Sequence, residues 1–246
     1  MPIAKKMAIT ISSHASYPYA AVSEIPHCTM IQYWQVLNLD KRETLGQEPW
    51  GELGDIMSSG TPESLVSQLA ESWAGNRIVI VSDYAFSYPE GLLTPRELDE
   101  VEDMYLDDKD LEYDDEDPAP TLYAFAEEWY KAVPVKIPAS GGSEGVRYLR
   151  NLNKKEYVRS DVVAGECPGG IKEKGVESGL GHVVVMMACL TDEEEEIGGE
   201  KVGNGSWAGD RLEITVGEDG GERGWRDVSE RVSESLRQIW STVTVD

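Results

Sequence analysis

Hydrophobic and polar positions along this chain follow two rhythms. In VLNLDKRETL, residues 36–45, apolar and charged residues interleave after an aromatic pair, Tyr33 and Trp34. That pattern predicts a strand, with Leu39, Lys41 and Glu43 on one face and Asp40, Arg42 and Thr44 on the other. TPESLVSQLAESW predicts a helix, with Thr61 as N-cap and Pro62 at the first helical position. RIVIVSDY, from Arg77, reads as a strand. TPRELDEVEDMYL opens on Thr94, Pro95 and Glu97, a capping box that starts a second helix. Residues 121–130, TLYAFAEEWY, form a short amphipathic helix. Further on, the valines of GHVVVMMACL make it strand-like, and RLEITVGE is another strand. RDVSERVSESLRQIW closes the chain as a helix with Val228, Val232, Leu236, Ile239 and Trp240 on one stripe.

Two motifs recur in the same order. SWAGNRIVI at 72–80 returns as SWAGDRLEI at 206–214, and VLNLDKRETL at 36–45 returns as LRNLNKKEYV at 149–158. The matches are Asn38/Asn151, Leu39/Leu152, Lys41/Lys154, Glu43/Glu156, Trp73/Trp207, Gly75/Gly209 and Arg77/Arg211. An ordered pair of recurring motifs reads as tandem duplication of one module. In each copy a strand, an apolar segment, the SWAG turn, a second strand and a closing helix follow one another.

Copy two is longer between its motifs by polar, Gly-rich stretches that read as surface loops. Four segments result: an N-terminal extension (1–30), module 1 (31–107), a connector (108–145) and module 2 (146–246). The connector contains acidic residues, the short helix and a Pro/Gly linker. Residues 97–117 hold 13 acids, and their mutual repulsion makes the connector exposed and sparse in contacts. The fold class is α+β: two pseudo-symmetric modules of mainly antiparallel strands with helices, packed as one compact unit.

The pattern resembles a small domain in which an aromatic precedes a segment like NLDKREY. WAGDRI then enters a strand ending GDY, and a helix opened by DVSEEV follows. The corresponding residues are Asn38–Thr44, Trp73–Ile78 and Asp83–Tyr84 in copy one, and Asn151–Tyr157, Trp207–Leu212 and Asp227–Val232 in copy two. The resemblance covers most of 31–107 and 146–241. Asn76 departs from it where the pattern has Asp, and copy two carries Gly217–Glu218 where copy one has Ser82–Asp83. The resemblance implies kinship in fold and carries no assigned activity.

Two readings of the motif residues stand side by side. In the structural one, Trp73 and Trp207 pack beneath tight turns. Gly75 and Gly209 take positive φ, and Asn76 or Asp210 bonds the turn amides, with Asn38 and Asn151 in the same motif. Arg77 and Arg211 then pair with Glu43 and Glu156 on a neighbouring strand. In the functional one, Lys41, Glu43 and Arg77, with Lys154, Glu156 and Arg211, line a carboxylate–Arg–Lys pocket in each module. Trp50 and Trp225 lie in Gly/Pro-rich polar surroundings, where they either cover the module core or anchor a partner.

Signatures of catalysis are thin. His14, His27 and His182 have no metal spacing, and His27–Cys28 point apart on an extended chain with no orienting residue. GGSEG and GEDGGERG lack the Lys-Ser/Thr of a phosphate loop. A calcium loop from Asp108 fails at Tyr113 and Ala119. No metal and no cofactor are expected. Cys28, Cys167 and Cys189 are odd and scattered, which speaks for a reducing compartment.

A net charge of −24 disfavours nucleic acid and anionic membranes and suits a basic protein surface. With no apolar run fit for a signal peptide or a span, the expected location is the cytoplasm or nucleus. The expected function is that of a non-enzymatic interaction or scaffold protein binding a protein partner. The alternative is an enzyme or small-anion-binding protein using the carboxylate–Arg–Lys site.

Overall fold

Where apolar residues run unbroken, a strand is covered on both faces; where they alternate, on one. The computed structural model follows this rule. It describes residues 32–103, 121–136, 145–164, 179–192, 195–197, 200–202, 204–217 and 224–243. All lie in one unit, Ile31–Asp246.

The first half forms β1 (Trp34–Asn38), β2 (Glu43–Trp50), α1 (Leu53–Ser58), α2 (Thr61–Ala70), β3 (Asn76–Ser82), α3 (Pro95–Asp103), α4 (Leu122–Trp129) and β4 (Lys131–Val133). Next come β5 (Arg147–Asn151), β6 (Glu156–Arg159), α5 (Ser160–Val163), α6 (Gly179–Ala188) and β7 (Cys189–Leu190). A small separate hairpin pairs β8 (Glu195–Ile197) with β9 (Glu200–Val202). The chain continues through β10 (Arg211–Val216), β11 (Arg226–Asp227) and α7 (Ser229–Val243). The fold is α+β, in one compact unit.

One mixed sheet organises these elements, in the order β11-β6-β5-β10-β3-β1-β2-β4, with β7 alongside β3. From its centre the sheet reads β3-β1-β2-β4 one way and β10-β5-β6-β11 the other. Inner pairs are antiparallel, and each outermost strand runs parallel to its neighbour.

One face carries the larger core. Trp34, Val36, Ile78, Ile80, Leu149, Leu212 and Ile214 meet residues of α1, α2, α5, α6 and α7 there. On the opposite face, Leu37, Val79 and Val81 pack with Val101 of α3 and with Leu122, Phe125 and Ala126 of α4. The continuous IVIV of β3 serves both layers. The alternating LEIT of β10 serves one, leaving Glu213 and Thr215 half-buried on the other side.

Three expectations need correction. GHVVVMMA is helical, because an apolar run buried all round carries no period that separates strand from helix. Only Cys189–Leu190 is strand. The helix expected to start at Pro62 begins one residue earlier, with Gly60 as N-cap. The closing helices of the two copies are not counterparts, since α3 packs on the smaller core and α7 on the larger. The acidic residues 107–117 lie outside the described residues. No described helix is long and apolar enough to cross a membrane.

Two glycines should respond oppositely to one substitution. A Cβ on Gly181 would sit 2.1 Å from the Pro62 carbonyl oxygen, so Gly181→Ala must push α6 from α2. It is expected to lower stability by about 1–3 kcal/mol. A Cβ on Gly54, in α1, would have nothing within 4 Å. Gly54→Ala is expected to raise stability by roughly 0.4–1 kcal/mol. Chemical denaturation of both variants checks the signs.

Candidate functional site

The first motif is a hairpin turn, not a single strand. β1 ends at Asn38, residues 39–42 turn, and β2 begins at Glu43. Asn38 explains the reversal. Its Oδ1 accepts from the Lys41 amide at 3.1 Å, and its Nδ2 donates to Asn76 Oδ1 at 3.0 Å. Asn151 makes the same bonds, accepting from the Lys154 amide at 2.9 Å and donating to Asp210 Oδ2 at 2.8 Å. Arg42 and Lys155 complete the turns with φ of 52° and 53°.

The second motif clasps this hairpin. The indole N–H of Trp73 donates to Glu43 at 2.7 Å, and that of Trp207 to Glu156 at 2.8 Å. Both indoles are fully buried. The Lys41 ammonium donates to the Ser72 carbonyl, and that of Lys154 to the Ser206 carbonyl and to Asp210. Gly75 and Gly209 take φ of 73° and 76°, as the turn expectation requires. Their amides reach across the middle of the sheet, Gly75 to the Leu212 carbonyl and Gly209 to the Ile78 carbonyl, each at 2.8 Å. Arg77 and Arg211 are therefore paired residues of adjacent strands.

The expected Arg77–Glu43 and Arg211–Glu156 ion pairs give way to others. Arg77 Nε donates to Asp40 Oδ1 at 2.7 Å, and Nη2 donates to Glu97 Oε1 at 2.7 Å. Arg211 Nη1 donates to Asp40 Oδ2 at 2.6 Å and to the Gly75 carbonyl at 2.9 Å. Asp40 thus bridges the two arginines. Glu97 serves twice, since it also accepts from the Thr94 amide in the anticipated capping box. The physical reason is that the two motif glutamates are already held by the indoles. Glu156 pairs with Arg226, which β11 brings opposite it, and Lys131 of β4 stands opposite Glu43 in register.

The electrostatics follow from these contacts. Burial by itself would raise the carboxyls of Asp40, Glu97 and Glu156. Their donors outweigh it and hold all three below the ordinary range: Arg77 for Asp40 and Glu97, and Arg226 with Trp207 for Glu156. A general acid at neutral pH needs the opposite shift. Comparisons of the chain with protein-family models, curated proteins and solved structures give no match.

Both questioned tryptophans are partly buried. Trp50 packs against the larger core, over Gly46 with its φ of 94°. Trp225 lies beneath the Arg150 guanidinium, 4.1 Å from the ring centre. Neither takes part in the bonds between hairpin and turn described above. No group of three His, Cys, Asp or Glu among the described residues is placed to hold a metal ion. Buried His182 meets the Met57 carbonyl through Nε2 at 2.9 Å, and the buried Cys189 thiol donates to the Met186 carbonyl. His14, His27, Cys28, Cys167 and the calcium-like stretch from Asp108 lie outside the described residues.

Asp40, Glu97 and Arg226 belong to this constellation and were not among the expected contacts. Asp40 lay inside the first motif and Glu97 inside a capping box, so each had a local role that concealed its partner. Arg226 carried no signal, because only the parallel pairing of β11 with β6 brings it to Glu156.

Glu156→Gln is expected to cost about 1–3 kcal/mol at neutral pH, since it weakens acceptance from both Arg226 and the buried indole. The folded carboxyl lies below its ordinary 4.5. Its contribution is therefore present above that value and fades as pH falls through the lower folded value. Denaturant titrations from neutral pH to about pH 3 should show the gap between variant and wild type closing on the acid side.

Proposed function

We propose that the chain is a duplicated module that acts without catalysis, as an interaction or scaffold protein binding a protein partner. One observation carries the reading: in both halves the Lys, Glu, Trp and Arg of the motifs bond to one another, to neighbouring charged side chains or to backbone. Residues used in this way hold the two hairpins to the two turns. The correspondence of those bonds, together with the order of strands outward from the sheet centre, supports duplication. The carboxylates of Asp40, Glu97 and Glu156 are held ionised beside cations, which supports a structural role over acid–base work. The charge of −24 favours a partner with a basic surface, and the scattered cysteines favour the cytoplasm or nucleus. The likeness to the NLDKREY/WAGDRI domain contributes kinship in fold alone.

Affinity purification from the native source, with identification of what is retained, tests this. The expected result is a protein with a basic surface whose retention weakens steeply as salt rises above about 0.15 M. Thermal melts with phosphate, sulfate and citrate form the second arm. Stabilisation of wild type by one of these anions, lost in Arg211→Gln, with no protein retained, would replace the scaffold reading by the anion-binding one.

A further inference from the structure

Aromatic rings and carboxylates gather at the end of the sheet where β1 begins and β3 and β7 end. Tyr33 and Phe86 leave 43% and 47% of their surfaces exposed, large values for such side chains. Two hydrogen bonds tie Tyr33 to the residue after β3: its amide donates to the Asp83 side-chain Oδ1, and the Asp83 amide donates to its carbonyl, both at 2.9 Å. Phe86 meets Tyr84 edge to face, with ring centres 6.3 Å apart. The Phe86 amide donates to Asp192 Oδ2 at 2.6 Å, which carries a third chain segment to the same place.

Tyr123 of α4 underlies this surface. Burial, then the charges of Glu127 and Asp83, push its hydroxyl up to about 12, and Gln35 hydrogen-bonds to it. Gln35 is itself 4% exposed, and its Oε1 has no hydrogen-bond partner. That oxygen is closed to solvent, so it belongs to the interior beneath the surface. Carboxylates and exposed rings share one complement, an organic cation. A bare metal ion would gain nothing from the rings, whereas a guanidinium or ammonium group stacks and pairs at once.

We propose that this end of the sheet docks an arginine- or lysine-bearing segment of a protein partner. Tyr33 and Phe86 flank the cationic head, and Asp83, Glu127 and Asp192 provide the opposing charge. The assignment rests on the protein-binding reading above and gives it a surface.

The probe is a fluorescein-labelled peptide of alternating arginine and glycine, followed by anisotropy at about 0.15 M salt. Tyr33→Ala with Phe86→Ala should weaken binding about tenfold or more. Glu127→Gln, an exposed change on α4 with little risk to folding, should weaken it measurably. A charge-matched control, Glu230→Gln on α7, should change it less than about twofold. Equal weakening by surface and control variants would mean attraction by overall charge alone and would overturn the site. Absence of wild-type binding would overturn it too. If the native partner is captured equally by wild type and by the surface variants, this surface is wrong while the protein-binding reading stands. If the peptide behaves as expected and no native partner is found, the reverse holds.

Discussion

Two glycine amides join the halves of the sheet. Gly75 and Gly209 each present a backbone N–H to the opposite central strand, and the left-handed φ that aims it is one ordinary residues adopt at a cost. Because these turns meet at the β3–β10 boundary, each half of the chain completes the other's sheet. The Leu39 and Leu152 amides extend the same pattern outward, donating to the Arg77 and Arg211 carbonyls. Neither β3 nor β10 is left as an open edge, so the most hydrophobic strands of both halves are protected from pairing elsewhere.

Behind this seam lies a problem of burial. An indole N–H in a core needs an acceptor, and a buried carboxylate needs donors. Trp73 with Glu43, and Trp207 with Glu156, satisfy both demands in one bond. The edge strands β4 and β11 then bring a cation opposite each glutamate. The motif spacing follows from this geometry, since the tryptophan must lie beneath the hairpin that carries the glutamate. Asp40 departs from strict correspondence. Like Asn153, its counterpart, which accepts from the Arg211 amide, it accepts from the Arg77 amide, but it also bridges both arginine side chains.

The two halves differ in their second layer. β1 and β3 are covered on both faces, the second by α3 and α4, whereas β5 and β10 carry Arg150, Glu213 and Thr215 on the corresponding side. α4 also brings Tyr123 and Glu127 to the end of the sheet where Tyr33 and Phe86 stand exposed. The proposed docking surface therefore belongs to the half with the additional layer.

Local chemistry was enough to announce much of this fold. The α+β class, the burial expected of Trp73 and Trp207, the capping box of Thr94 and Glu97, the helix within 121–130 and the stripe of Val228, Val232 and Leu236 could all be read from apolar patterning and local caps. The contrast between IVIV and LEIT even encoded which strand has two covered faces. Contacts between distant segments were not legible. That NLDKRE turns and does not run straight depends on Asn38 reaching Asn76. That VVVMMA coils depends on a site closed on every side, where periodicity vanishes. That Arg77 and Arg211 share Asp40, while Glu156 finds Arg226, depends on strand order and register. A charged side chain chooses among all the partners that the fold brings within reach, and only the tertiary structure decides which those are.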